Sequence, residues 1–115
     1  MNKDIKLWQK EIENEIDKLN WEIEPKNLYA PIEYTLALGG KRIRPICLLL
    51  ANHIFSGDHS KAISLALAIE VFHNFTLLHD DIMDKADIRR GKPTVHIKWN
   101  ENTSILSGDG MLIKA

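Results

Sequence analysis

The sequence predicts an all-α protein, an antiparallel helical bundle in which residues 1–115 form one helical portion. Three observations favour this class. Apolar residues recur at helical spacing near the N-terminus. Gly and Pro residues, which end helices, separate the apolar segments at positions 25, 39–40 and 57. The stretch from 60 to 83 is apolar nearly all round, which is typical of a helix in the middle of a bundle.

The first two helices are predicted from apolar spacing and from the residues that end them. An amphipathic helix of about five turns opens the chain, and Glu24-Pro25 breaks it. A second helix runs from about Asn27 to Leu38 and stops at Gly39-Gly40, as a glycine in left-handed conformation would stop it. The expected inward residues are Ile5, Trp8, Ile12, Ile16, Leu19, Tyr29, Ile32 and Leu36, with Tyr34 as a further candidate.

The later elements follow from the same signals. A third helix over 43–55 carries Pro45 in its first turn and ends before Gly57. Asp58 or Ser60 is predicted to cap the fourth helix, which runs to Met83. Residues 84–98 contain Gly and Pro and read as a loop with at most a short extended piece. Thr103 or Asn102 is predicted to cap a last helix that is still apolar at Ala115.

Composition limits the possible functions. The 115 residues (13.2 kDa) suffice for one domain, and a net charge of −1 argues against nucleic acid as the partner. The lone Cys47 permits no internal disulfide and is predicted to be a small buried side chain. The N-terminus lacks the apolar core of a signal peptide, and no apolar run approaches the ~18 residues of a transmembrane segment. We therefore expect a cytoplasmic protein.

The segment His79-Asp80-Asp81-Ile82-Met83-Asp84 is the strongest functional signal. On a helix, Asp80 and Asp84 share one face, and two like charges so placed repel unless a cation lies between them. Hard carboxylate oxygens suit Mg²⁺, which binds one or two carboxylates together with water and substrate phosphate. Asp81 points about 100° away and is expected to support the site without binding metal. The alternative, a solvated acidic helix end, would oppose the helix dipole.

Two basic segments accompany the aspartates. Gly39-Gly40-Lys41-Arg42-Ile43-Arg44-Pro45 combines glycines that permit close approach with a helix start that attracts anions. Lys41 and Arg44 could converge on one phosphate, whereas Arg42 would diverge. Arg89-Arg90-Gly91 follows the aspartates and offers forks that match phosphate geometry. By themselves both segments would read as surface charge; beside the aspartates they indicate a Mg²⁺–diphosphate substrate. For His73, two turns before Asp80, a satisfied core histidine and a ligand are equally good interpretations.

Together these clusters resemble the trans-isoprenyl diphosphate synthases, the polyprenyl synthetase family. The Gly39–Pro45 segment is similar to that family's glycine–basic motif, and Asp80–Asp84 to its first aspartate-rich motif. Arg89-Arg90-Gly91 lies at the expected offset, and Glu70–His73 and Ser107–Asp109 also resemble family segments. The resemblance runs from about Tyr34 to Ala115. It implies the first part of an isoprenoid synthase fold.

The resemblance also implies an activity and roles for residues. The reaction would be the Mg²⁺-dependent head-to-tail condensation of isopentenyl diphosphate with an allylic diphosphate, in a farnesyl- or geranylgeranyl-type enzyme. Asp80 and Asp84 would hold Mg²⁺, and Arg89 would contact the allylic diphosphate. The isopentenyl diphosphate would be bound by Lys41, Arg44, His73 and Arg90. The family is typically dimeric, so a homodimer or higher oligomer is expected.

Product length would be set by residues that precede the aspartates on the predicted fourth helix. Phe75 and Thr76 lie about one turn before Asp80, and by similarity the growing prenyl tail passes them. The bulk of Phe75 indicates a short product, about C15 to C20.

One departure from the family pattern limits the activity expected of this chain. Family members are well over twice as long and carry a second aspartate-rich motif, whereas the remaining aspartates here are isolated. The chain is therefore expected to be an N-terminal part that lacks turnover by itself. The alternative is a non-catalytic helical module that associates through uncovered apolar faces. A terpene cyclase would share the aspartate motif, but the two basic segments point to a second diphosphate substrate.

Overall fold

The computed structural model describes residues 2–55 and 57–115 and confirms the all-α class. The described elements, in chain order, are α1 (Asn2–Lys18), α2 (Lys26–Ala37), α3 (Ile43–Ile54), α4 (His59–Met83), β1 (Ile88–Arg89), β2 (Lys92–Pro93), α5 (Val95–Lys98) and α6 (Glu101–Lys114). The two strands pair antiparallel as a small hairpin, in the segment where a short extended piece was predicted. The first four helices lie within a few residues of their predicted bounds.

The described chain divides into two compact units, and α4 contributes its residues up to Glu70 to one and those from Val71 to the other. The first unit also contains α1 and α3, which pack on each other. Its buried apolar side chains on α1, Ile12 and Ile16, follow the predicted helical spacing. Those on α3 and α4 are Pro45, Leu49, Ala62, Ile63 and Ala66.

The second unit contains α2, the hairpin, α5 and α6, with α6 packing on both α2 and α5. Small residues on α6 allow close approach. The Ser107 hydroxyl donates to the Leu28 carbonyl oxygen (2.6 Å), and Ser104 donates to that of Leu78 (3.4 Å). The buried apolar side chains of this unit are Pro31, Ile32, Leu36, Val71, Leu77, Leu78, Val95 and Met111.

The helix ends agree with the predicted caps at two places and differ at one. Gly39, just after α2, has φ +81°, the left-handed conformation that was predicted. Asp58 caps α4, because its Oδ1 accepts hydrogen bonds from the Ser60 N–H (3.0 Å) and hydroxyl (2.8 Å). These bonds favour the ionised form and lower the pKa of Asp58. The cap of α6 is Asn100, whose side chain accepts from the Thr103 N–H; the prediction of Thr103 or Asn102 was wrong.

One prediction, the burial of Cys47, needs correction. Cys47 is exposed. The run Ile46–Ala51 forms part of an amphipathic helix, and Cys47 lies on its outer side, about 200° from the buried Leu49.

Helix α4 is long and apolar enough to cross a membrane by length and composition, with a mean hydropathy of 1.4 over 18 residues. Its scattered polar residues interrupt every apolar run without removing that overall hydropathy. A helix in the core of a protein can have the same length and hydropathy, and 39% of this 18-residue stretch is buried.

Candidate functional site

The three aspartates at the end of α4 are in two different environments. Asp80 and Asp84 are exposed, whereas Asp81 is 5% exposed. The Asp84 N–H donates to the Asp80 carbonyl oxygen (2.8 Å), so helical spacing continues to Asp84 although α4 ends at Met83. The exposed pair therefore lies on one face, as predicted, while Asp81 points into the protein.

Asp81 is bound by Arg89 of strand β1. The Arg89 Nε lies 2.8 Å from Asp81 Oδ2, and its Nη2 lies 2.6 Å from Oδ1, which makes a two-pronged ion pair. This hydrogen bonding raises the pKa of Arg89, and the charges of Asp80 and Asp84 raise it further. The guanidinium that was predicted to contact an allylic diphosphate is thus held beside all three carboxylates.

Arg90 connects the two glycine-containing motifs. It adopts a left-handed turn conformation (φ +52°) with Gly91 (φ +77°), and its Nη1 donates to the Gly39 carbonyl oxygen. A Cβ at Gly40 would lie 3.0 Å from the Arg90 guanidinium. Glycine at position 40 therefore permits the approach of Arg90, a role that the sequence motif did not reveal.

The hairpin is also fixed to α2 through Tyr34. The Tyr34 hydroxyl donates to the Pro93 carbonyl oxygen (2.7 Å), and the Lys98 ammonium lies 4.1 Å from the centre of the Tyr34 ring. The first contact holds β2, the strand that follows Arg90, against the C-terminal end of α2, and the second holds α5 there. The positions of Arg89 and Arg90 are thereby determined by packing within the second unit.

In the glycine–basic segment, exposed and buried cations alternate. Lys41 and Arg44 are exposed, whereas the Arg42 side chain is fully buried and pairs with Glu13 of α1 and Glu70 of α4. Burial alone lowers the pKa of Arg42, but the bonds to the two glutamates outweigh it, so the pKa lies above its ordinary value. The expectation that Arg42 diverges from its neighbours is confirmed. Sequence reasoning missed its partners, although a lone Glu70 in an apolar helix was an available signal.

The remaining predicted residues lie on α4, before the aspartates. His73 is partly buried. The Thr76 hydroxyl donates to the His73 carbonyl oxygen (2.6 Å). Phe75 is also partly buried and makes ring contacts with Phe72 (5.4 Å between centres) and His79 (4.9 Å). Phe75 therefore belongs to an aromatic row on α4.

The exposed aspartates supply part of what a Mg²⁺ site needs. Among the described residues, no group of three or more His, Cys, Asp or Glu side chains could hold a metal ion. Asp80 and Asp84 are nevertheless exposed carboxylates for which no hydrogen bond or ion pair is found within the described part of the chain. Two such carboxylates fit the usual protein share of a magnesium site, in which water and phosphate oxygens complete the shell.

Comparison with known proteins shows the family of this chain. The family model for polyprenyl synthetases matches residues 25–115. The geranylgeranyl diphosphate synthase of Methanosarcina mazei is 44% identical over 112 residues, which cover 97% of this chain and 35% of that protein. The corresponding enzyme of Saccharolobus solfataricus is 42% identical over 118 residues, with the same coverage.

Solved structures show the same fold. The geranylgeranyl pyrophosphate synthetase of Geoglobus acetivorans superimposes with a TM-score of 0.91 at 44% identity, over 96% of this chain and 36% of that one. The chain thus spans about a third of the length of the relatives it matches. The predicted partial isoprenoid synthase fold is confirmed, and the chain belongs to the polyprenyl synthetase family.

Proposed function

We propose that this chain supplies the first aspartate-rich side of a prenyltransferase site. The reaction is the condensation of isopentenyl diphosphate with an allylic diphosphate to give a product of about C15 to C20. The observation that carries the proposal is that the three aspartates at the end of α4 differ in exposure. Asp80 and Asp84 are exposed, whereas Asp81 is buried and bound to Arg89. The names of the relatives, geranylgeranyl diphosphate synthases, support the product class.

In this proposal Asp80 and Asp84 would hold Mg²⁺, which supplies positive charge to the diphosphate leaving group. Breakage of the allylic C–O bond leaves positive charge on the prenyl group and negative charge on the diphosphate. Arg89 would stabilise the negative charge on the diphosphate. Its guanidinium is permanently protonated and is already fixed by Asp81, so little reorganisation accompanies the reaction. The preorganised arginine is the chain's own electrostatic contribution.

The second substrate is assigned to the basic residues. Lys41 and Arg44 present exposed cations at the start of α3, and Arg90 lies at the hairpin turn. Together with His73 they would bind isopentenyl diphosphate. The prenyl tail would extend along α4 past Thr76 and Phe75. In the complete site the apolar side chains of α4 would keep water, which would otherwise capture the cation, away from this path.

The proposal includes a limit on this chain alone. It spans 35% of the Methanosarcina mazei enzyme and contains one aspartate-rich motif. We therefore expect no turnover from the 115 residues by themselves. A chimera in which they replace the matched third of the Methanosarcina mazei enzyme should convert isopentenyl diphosphate and an allylic diphosphate to prenyl diphosphate. Activity of the isolated chain would contradict the limit, and an inactive but folded chimera would contradict the function.

A non-catalytic association module is the second candidate. The observation that favours it is the exposure of apolar side chains on α4, with Leu65 at 60%, Ile69 at 39% and Phe72 at 46%. Uncovered apolar surface of this kind drives assembly, which would also suit the expected homodimer or higher oligomer. Sedimentation of the chain tests the module: a monomer counts against it, whereas an oligomer is expected of both candidates.

A further inference from the structure

Arg42 is the most deeply buried cation among the described side chains of the first unit. Its residue is 2% exposed, and its backbone adopts the left-handed conformation (φ 55°, ψ 38°) immediately before α3. That conformation is uncommon for residues other than Gly, Asn and Asp and persists where surrounding contacts determine it. The turn therefore needs an anchor, and the Arg42 side chain is placed to provide one.

Two glutamates from different helices hold the guanidinium. Its Nε and Nη2 donate to the two carboxylate oxygens of Glu13 on α1, at 2.6 and 3.3 Å. Its Nη1 donates to Glu70 on α4, at 2.9 Å. The planar fork of arginine binds both carboxylates at once, which a lysine ammonium at the same place could not do in this geometry.

The two other cations of this segment are in a different environment from Arg42. Lys41 and Arg44 are exposed, and the Ile46 N–H donates to the Arg42 carbonyl oxygen (3.1 Å), the first hydrogen bond of α3. The buried fork thus fixes both the turn before α3 and the start of the helix. Those two features determine where the neighbouring cations lie.

We propose that Arg42, clamped by Glu13 and Glu70, is a positioning residue that presents Lys41 and Arg44 together to a diphosphate. This inference rests on the proposed function, since it assumes that these two cations bind isopentenyl diphosphate. It assigns a role to α1 as well. Residues before position 25 lie outside the match to the family model, yet Glu13 supplies half of the clamp.

The first test measures the clamp itself, independently of any ligand. Glu13→Gln is the variant of choice, because the Glu13 side chain is 39% exposed and its change disturbs the core less than a change at Glu70, which is 3% exposed. Glu15→Gln on the same helix is the matched control, since Glu15 pairs only with Lys18 at the surface in the described chain. We expect faster amide exchange at Ile46 in Glu13→Gln and unchanged exchange in the control. Unchanged exchange in both would overturn the clamp.

The second test asks whether the clamp serves the neighbouring cations. Binding of inorganic diphosphate to the 115-residue chain is titrated for wild type, Lys41→Ala, Glu13→Gln and the double variant. Each single change should weaken binding about tenfold, and the double variant should be at most about twofold weaker than either single one. Fully additive losses would overturn the positioning role and leave the proposed function standing. If Lys41→Ala has no effect, the assignment of Lys41 to the diphosphate is wrong, and the positioning role falls with it.

Discussion

Arg89 donates through its Nε and Nη2 to both oxygens of the buried carboxylate of Asp81, the middle member of the aspartate cluster. This pair explains why three carboxylates within five residues are compatible with one helix end. One of them is neutralised internally, and the other two, Asp80 and Asp84, remain exposed. The repulsion between the exposed pair is reduced by the same arginine, whose pKa they raise.

The Asp81–Arg89 pair makes a first prediction, about stability. Asp81→Asn should lower the free energy of unfolding by about 2 kcal/mol, because a buried charge pair loses one partner. The loss should be smaller than for a fully buried pair, since the Arg89 side chain is 29% exposed. Urea unfolding measures it. Asp87→Asn, an exposed aspartate in the following loop, should change stability little. Equal losses of unfolding free energy in both variants would show that the Asp81–Arg89 pair does not stabilise the protein more than an exposed aspartate does.

Two glycines of α6 form a matched pair for a second prediction. A Cβ at Gly108 would lie 2.7 Å from His79 Nε2, whereas a Cβ at Gly110 would meet nothing closer than 3.7 Å. Alanine favours a helix over glycine by about 1 kcal/mol. Gly110→Ala should therefore stabilise the chain by about 0.5–1 kcal/mol. Gly108→Ala should destabilise it by about 1 kcal/mol, because the displaced His79 ring costs more than the helix gains.

Thermal unfolding of the two glycine variants gives the comparison directly. The His79 ring contacts the ring of Phe75, and its Nε2 lies 3.3 Å from the Ile105 carbonyl oxygen. Displacing the His79 ring therefore costs free energy. If both variants are stabilised equally, the packing of α4 against α6 at Gly108 is looser than described.

The third prediction concerns pH and the cap of α4. Asp58 has a pKa below its ordinary value of 3.8, since Ser60 donates to its ionised form. A lowered pKa means that the unfolded chain binds more protons in this range, so the cap's contribution is complete above pH 3.8 and declines as the pH falls through the folded pKa. Asp58→Ala should therefore be less stable than wild type at pH 7 and at pH ~4.5 by similar amounts.

At pH ~2.5 the difference between wild type and Asp58→Ala should shrink. Urea unfolding at the three pH values measures it, with Glu15→Gln, which removes a partly exposed carboxylate of α1, as a control. A difference that stays constant down to pH ~2.5 would mean that the charge of Asp58 does not matter to the cap.

The fourth prediction concerns product length. In the active chimera, Phe75→Ala should shift the products beyond about C20, because a large side chain is removed from the path assigned to the prenyl tail. Phe55→Ala is the control, since Phe55 is 84% exposed at the end of α3. Chromatography of the dephosphorylated products reads the chain length. An unchanged product distribution in Phe75→Ala would remove Phe75 from the specificity determinants.

The sequence predicted the parts of this protein that depend on local pattern. Apolar spacing located α1 to α4, and the left-handed Gly39 ended α2 as expected. Spacing alone also separated Asp81 from Asp80 and Asp84, because neighbours on a helix differ by about 100° in direction.

Features that depend on distant contacts were not predictable in the same way. The partners of Arg42 come from positions 29 and 28 residues away, and the guanidinium that approaches Gly40 belongs to Arg90, far along the chain. The exposure of Cys47 and the cap by Asn100 show a second limit. Residue type indicates a preference for burial or for capping. Whether a given residue is buried or caps a helix depends on which face of the helix it occupies and on the residue at which the helix begins, and a small shift changes both.

The central claim is that Asp80 and Asp84 hold the metal of a prenyl-transfer site while Asp81 only supports it. The most direct test is the Mg²⁺-dependent rate of the chimera carrying Asp80→Asn, Asp84→Asn or, as control, Asp87→Asn. The account predicts losses of about 10²–10³-fold in kcat for the first two, with folding intact, and a rate near that of the parent chimera for Asp87→Asn. Full activity in Asp80→Asn and Asp84→Asn would contradict it.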